Sequence, residues 1–125
     1  MLGSFLQVAI GGAIGSALRF GVGLAAARHA TGPLPLGILT VNVLGSLLMG
    51  VLAIWTVERG LTHLNPLLLT GLLGGFTTFS AFSLESFDLI ERGLLGTAAL
   101  YVLLSVVLSL AGLALGVTLA RAAFA

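Results

Sequence analysis

The stretch Gly74-Gly75-Phe76-Thr77-Thr78-Phe79-Ser80-Ala81-Phe82-Ser83 decides the fold. It lies inside an apolar segment long enough to cross a bilayer, yet it is a poor sequence for an unbroken helix. Paired glycines, β-branched threonines and serines all weaken helix propagation. A break facing lipid would leave amides and carbonyls unpaired at a cost of several kcal/mol. Such a break persists only where protein, water or an ion satisfies those groups. The segment is therefore expected to hold an ion or to line a path for one.

Composition points the same way. Of 125 residues, 58% are hydrophobic and only 7% are charged, where soluble domains carry about 25% charged residues. With a mean hydropathy of +1.22, the chain reads as an all-α membrane protein forming one transmembrane domain over 1–125. Cysteine is absent, which excludes disulfides, thiol catalysis and cysteine metal sites. The net charge of +1 comes with no basic run, so nucleic acid is not expected as a partner. The first apolar stretch lacks a basic leader and a cleavage site, and is expected to be a retained membrane helix.

Charged and turn-forming residues divide the chain into four spans, at about 3–27, 36–57, 66–89 and 94–120, with the break near 74–79. Each supplies the roughly 20 residues needed for a hydrocarbon core of about 30 Å. Arg28, His29 and Thr31-Gly32-Pro33 form the first loop, and Pro35 suits a first helical turn. Glu58, Arg59, Gly60 and His63 form the second. Asn65-Pro66 predicts a side-chain cap followed by proline at the first helical position. Glu91-Arg92-Gly93 predicts a tight turn. Four crossings put both termini on one side.

Glycines recur at close-packing spacing, in Gly11/Gly15, Gly71/Gly75 and Gly112/Gly116, with Ser46/Gly50 beside them. They predict a tight bundle without saying which helices meet. Arg59 and Arg121 fall on the terminal side, Arg28 and Arg92 on the other, and Arg19 within the first span. This balance fixes no orientation. Either other signals decide it, or the chain inserts both ways and pairs antiparallel about a twofold axis in the membrane plane. Four helices hardly enclose an aqueous path alone, and a dimer would supply eight.

Several polar residues lie at bilayer depth. Asn42, with Ser46 one turn on, marks either a pathway or an interhelical hydrogen bond. Tyr101, Ser105 and Ser109 place three hydroxyls on one stripe of the last span. They form a polar track unless each serine bonds back to its own helix. Phe79 and Phe82 share a helical face, either as core packing or with electropositive ring edges aimed at an anion. Arg19 either snorkels to the interface or makes a vestibule electropositive. Glu85, the deepest carboxylate, can pair with an arginine, carry a proton or sit near the interface. No spacing suggests a catalytic site or a transition-metal site. Trp55 reads as an interface anchor.

Three elements carry a resemblance: Gly11-Gly12-Ala13-Ile14-Gly15-Ser16-Ala17-Leu18-Arg19-Phe20, Thr40-Val41-Asn42, and the broken segment with its GGxTTFSxFS pattern. Together they closely resemble the Fluc fluoride channels, also called the CrcB family, over nearly the whole chain. The resemblance implies a non-enzymatic, multi-pass protein of the bacterial inner membrane. It implies an antiparallel, dual-topology homodimer with two fluoride pores and passive export of cytoplasmic fluoride. Residue by residue, it implies that Phe79 and Phe82 form a phenyl box, with Ser80 beside the rings. It makes Asn42 the central pore asparagine and Tyr101, Ser105 and Ser109 the polar track. Arg19 becomes the vestibule base. The carbonyls of Gly74 and Thr77 hold a structural sodium ion on the dimer axis, and Glu85 is an acid near the pore. The alternative is a small dual-topology, proton-coupled exporter resembling the small multidrug resistance transporters. Those use an embedded acid in the first helix, which this chain lacks.

Overall fold

A computed structural model describes residues Met1–Ala125, all of its regular structure helical. Helix α1 spans Leu2–Arg28 and α2 spans Leu36–Glu58. The third crossing, Thr62–Glu91, is composite. A 3-10 turn, Thr62–Leu64, leads into a π-helical segment, Pro66–Leu73, and then into a single turn, α3, at Gly74–Phe76. Helix α4, Phe79–Glu91, follows the break, and α5 spans Leu95–Phe124. Four helical stretches are thus long and apolar enough to cross a membrane.

The break is narrower than the sequence suggests. Only Thr77 (φ −91°, ψ 157°) and Thr78 (φ −155°, ψ 123°) are extended. Gly74 and Gly75 stay helical, and at Gly75 the reason for a glycine is packing. A Cβ on Gly75 would lie 2.7 Å from Gly12 O, so the glycine lets two backbones touch instead of breaking one. The expected Asn65 cap is also corrected. Asn65 adopts helical angles (φ −59°, ψ −38°) and its side chain caps nothing. The preceding 3-10 turn carries the helical path through it, so it never occupies the extended position a cap requires. Pro66 does sit at the first turn of its segment.

The tetrapeptide Glu-Arg-Gly-Leu occurs twice, at 58–61 and 91–94, and ends a helix the same way each time. Gly60 (φ 66°) and Gly93 (φ 75°) take the left-handed conformation. Leu61 N–H then donates to Thr56 O at 2.7 Å, and Leu94 N–H to Leu89 O at 2.9 Å. Gly60 and Gly93 N–H close the inner bonds to Val57 O and Ile90 O. Both ends are Schellman motifs, which satisfy carbonyls that a helix terminus would otherwise orphan.

Glycines decide which helices meet. Helix α1 packs on the π-helical segment and α3, while α2 lies along α5. A Cβ on Gly11 would strike Leu67 O and Leu72 N, and one on Gly15 would strike Leu72 O and Phe76 N. Gly50 meets Leu113 O on α5, and Gly116 meets Leu47 O on α2. At the far ends of α2 and α5, the Arg59 guanidinium stacks 5.5 Å from the Phe124 ring centroid, so these two helices run in the same direction. Phe82, Leu89, Ala98 and Tyr101 form a small core between α4 and α5. Most other large apolar side chains point outward, as expected of a protein whose solvent is lipid.

Candidate functional site: the broken crossing and its cavity

Two extended residues between helices leave backbone groups to be satisfied from elsewhere. In a continuous helix Thr78 N–H would return to Gly74 O. Instead it donates to Asn42 Oδ1 at 2.8 Å, while Asn42 Nδ2 donates to Thr78 O at 3.0 Å. Ala81 N–H would return to Thr77 O. It donates instead to Thr78 Oγ1 at 3.1 Å, making Thr78 the N-cap of α4. Thr77 bonds twice to Leu73 O, through its N–H at 3.0 Å and its hydroxyl at 2.8 Å. Gly75 O accepts from Arg19 Nε at 3.1 Å. Thr78 N–H and Ala81 N–H are thus drawn away from Gly74 O and Thr77 O, their acceptors in a continuous helix. Gly74 also faces outward.

Beside the break lies a cavity of about 390 Å³ lined by α2, the break, α4 and α5. It brings together Asn42, Thr77, Phe79, Phe82, Ser105 and Ser109. The Phe79 and Phe82 rings meet edge to face, with centroids 5.4 Å apart and planes at 64°. Phe82 is buried, but Phe79 is 77% exposed, so one face of this ring pair has no neighbour within the chain. Ser105 Oγ is buried and has no hydrogen-bond partner. Ser83, Ser86 and Thr118 all bond back to carbonyls four residues earlier, whereas Ser105 and Ser109 do not. The two cavity serines thus keep their hydroxyls free.

Five sequence-predicted residues lie outside this cavity, the outward-facing Gly74 among them. Ser80 sits on the exposed side of the break, its hydroxyl 3.2 Å from Thr78 Oγ1. Tyr101 is fully buried behind Phe82, with ring centroids 5.2 Å apart. Its hydroxyl donates to Glu85 Oε2 at 3.1 Å, so Glu85 pairs with a tyrosine rather than an arginine. Glu85 faces a second cavity of about 350 Å³, shared with Asp88, Arg92 and the α1–α2 connection. There Arg92 pairs with Asp88 at 3.6 Å. Arg19 is half-buried and turned to the break through its bond to Gly75.

Sequence reasoning assigned no role to Thr78 or to Met49, which also lines the cavity. A threonine directly before the Phe79–Glu91 run is an ordinary N-cap signal and could have identified Thr78. Nothing in the sequence singles out Met49.

Comparison with known proteins identifies the family. The sequence profile described as "CrcB-like protein, Camphor Resistance (CrcB)" matches residues 6–117. The chain is 57% identical over 122 residues to the fluoride-specific ion channel FluC of Paracoccus denitrificans (strain Pd 1222), covering 98% of each chain. It is 56% identical over 123 residues to the protein of the same name from Ruegeria sp. (strain TM1040), covering 97% of each. A third relative of that name, from Jannaschia sp. (strain CCS1), is 68% identical over 94 residues, which is 75% of this chain and 90% of that one. With a broken third crossing clamped by Asn42 and a profile match over nearly its full length, the chain belongs to the CrcB family.

Proposed function

We propose that this protein is a fluoride-selective channel that lets cytoplasmic fluoride leave the cell passively. Hydrogen fluoride crosses membranes as the neutral acid and ionises inside, and the membrane potential then drives the trapped anion out through the channel. The observation that carries this assignment is Ser105: a buried hydroxyl with no partner, in a cavity shared with Phe79, Phe82 and Asn42. A buried donor left free has a cost unless something accepts from it, and a small anion does so. The relatives' name supplies the identity of the anion.

Fluoride holds its hydration water tightly, so a selective path must replace that water with donors. Asn42 uses one of its two amide N–H groups on Thr78 O and keeps the other. Ser105 and Ser109 offer hydroxyls, and the Phe79 and Phe82 edges offer weak positive potential. Weak successive sites permit exit as well as binding. Ser80 extends this set on the exposed side, while Tyr101, whose one O–H is donated to Glu85, backs the Phe82 ring beside the path. Arg19 keeps the approach electropositive.

The working unit in this proposal is an antiparallel, dual-topology homodimer in the bacterial inner membrane, with two pores. The outward-facing Phe79 and Gly74 support it, since both present the break to a neighbour. A structural sodium ion fits the same face. The carbonyls of Gly74 and Thr77 would hold it, and it would neutralise the dipoles that the break gathers at the centre. Purified protein in liposomes, followed with a fluoride electrode and with chloride as competitor, tests the assignment. Rapid fluoride efflux without a pH gradient is expected. Efflux that needs a proton gradient, or chloride passing as readily, would overturn it.

A further inference from the structure

The cavity continues beyond the residues to which the fluoride-channel proposal gives roles. Val43 O lies against Gly112, and Leu47 O against Gly116, so one turn of α2 corresponds to one turn of α5. Asn42 therefore lies near the level of Ser109, and Ser46 lies near that of Leu113. Toward the terminal side of the membrane the α5 wall turns apolar, through Leu110 and Leu113. On the α2 wall the lining runs Asn42, Ser46, Met49. Ser46 is thus the last polar side chain before the lining becomes wholly apolar.

Its packing surroundings do not require a serine. The close α2–α5 approach is made by Gly50 and Gly116, and Ser46 instead faces the cavity, half-buried. Ser83 and Ser86 are engaged by their own helix, whereas the Ser46 hydroxyl makes no such bond. A free hydroxyl one turn beyond Asn42 extends the donor set past the phenylalanine pair and toward the terminal-side mouth.

We infer that Ser46 is a further ion-contacting residue, donating a hydrogen bond to the permeating anion between the Asn42–Ser109 level and the apolar end at Met49 and Leu113. This rests on the fluoride-channel proposal above. Without Ser46 the anion would meet, after leaving Asn42, only Thr77, whose hydroxyl is already donated to Leu73 O, and then methionine and leucine, and would have to regain its water in one step. With it, the exchange of ligands is spread over two.

The test compares isosteric variants. Ser46→Thr keeps the hydroxyl, and Ser46→Val matches the threonine in shape without it. Fluoride efflux from liposomes should stay within about twofold of wild type for Ser46→Thr. It should fall about tenfold for Ser46→Val, the size expected for losing one hydrogen bond to a charged group. Ser46→Ala, which cannot overpack, should fall with Ser46→Val. Gel-filtration profile and thermal melting should be unchanged in all three. Equal efflux from the threonine, valine and alanine variants would overturn the role of Ser46 while leaving the channel intact. Absence of fluoride efflux from wild type would instead overturn the channel proposal beneath it.

Discussion

The side-chain amide of Asn42 pairs with both backbone polar groups of Thr78, donating to its carbonyl at 3.0 Å and accepting from its N–H at 2.8 Å. One residue of α2 thereby satisfies both backbone groups of the second extended residue of the break. Asn42→Asp keeps the acceptor and removes the donor, leaving Thr78 O unpaired at a cost of about 1–3 kcal/mol. The variant should melt earlier in detergent and lose fluoride efflux. Unchanged melting would show that the clamp contributes nothing to stability.

Phe82 touches Phe79 on one side and Tyr101 on the other. Phe82→Ile keeps an apolar side chain of similar bulk but removes both ring contacts, worth about 1 kcal/mol each. The protein should still assemble, with fluoride flux reduced more than about tenfold, which corresponds to about 1.4 kcal/mol. Normal flux in a liposome assay would reject the role of the ring.

Gly15 faces Leu72 O and Phe76 N, whereas Gly21 faces open space. Gly15→Ala must push backbone against backbone, and overpacking of this kind costs about 1–3 kcal/mol. Gly21→Ala should be neutral or slightly stabilising, since alanine is the better helix former by about 1 kcal/mol. Paired melting curves of the two variants check this, and equal melting temperatures would contradict the packing described for α1.

Tyr101→Phe removes the hydroxyl bonded to Glu85 and keeps the ring against Phe82. Folding should change by no more than about 1–2 kcal/mol, while fluoride flux should fall. Adding Glu85→Gln to Tyr101→Phe should cost little further flux, because the two residues act as a bonded pair. Additive losses in efflux would show that they act separately.

The four crossings were legible because lipid demands long apolar runs and charges cluster where helices end, at Arg28, Glu58-Arg59 and Glu91-Arg92. The break was legible for a related reason, since Thr77-Thr78 and the following serines suit no unbroken helix. Its width was not. Gly74 and Gly75 look like helix breakers in a sequence, and only the approach of Gly12 shows that Gly75 serves contact instead. Asn65 looked like a cap because the 3-10 turn before it leaves no mark in composition. The grouping of Asn42, Phe82 and Ser105 was foreseeable as chemistry, but their shared cavity depends on the α2–α5 register, which glycine spacing alone does not give. The bond between Tyr101 and Glu85 joins two helices across the turn at Gly93, a relationship no helical periodicity contains.

The twin Glu-Arg-Gly-Leu endings have a consequence for the bilayer itself. One stops α2 at one face of the membrane and the other stops α4 at the opposite face. Neither helix can wind on by a further turn, because its last carbonyls are already engaged around a left-handed glycine. The α2–α4 pair therefore acts as a ruler of fixed length. Helices α1 and α5, with 27 and 30 residues, exceed what a 30 Å hydrocarbon layer needs. In a thicker or thinner membrane the packed bundle tilts as one body, while the helical length from the cavity to these two ends stays set by two glycines.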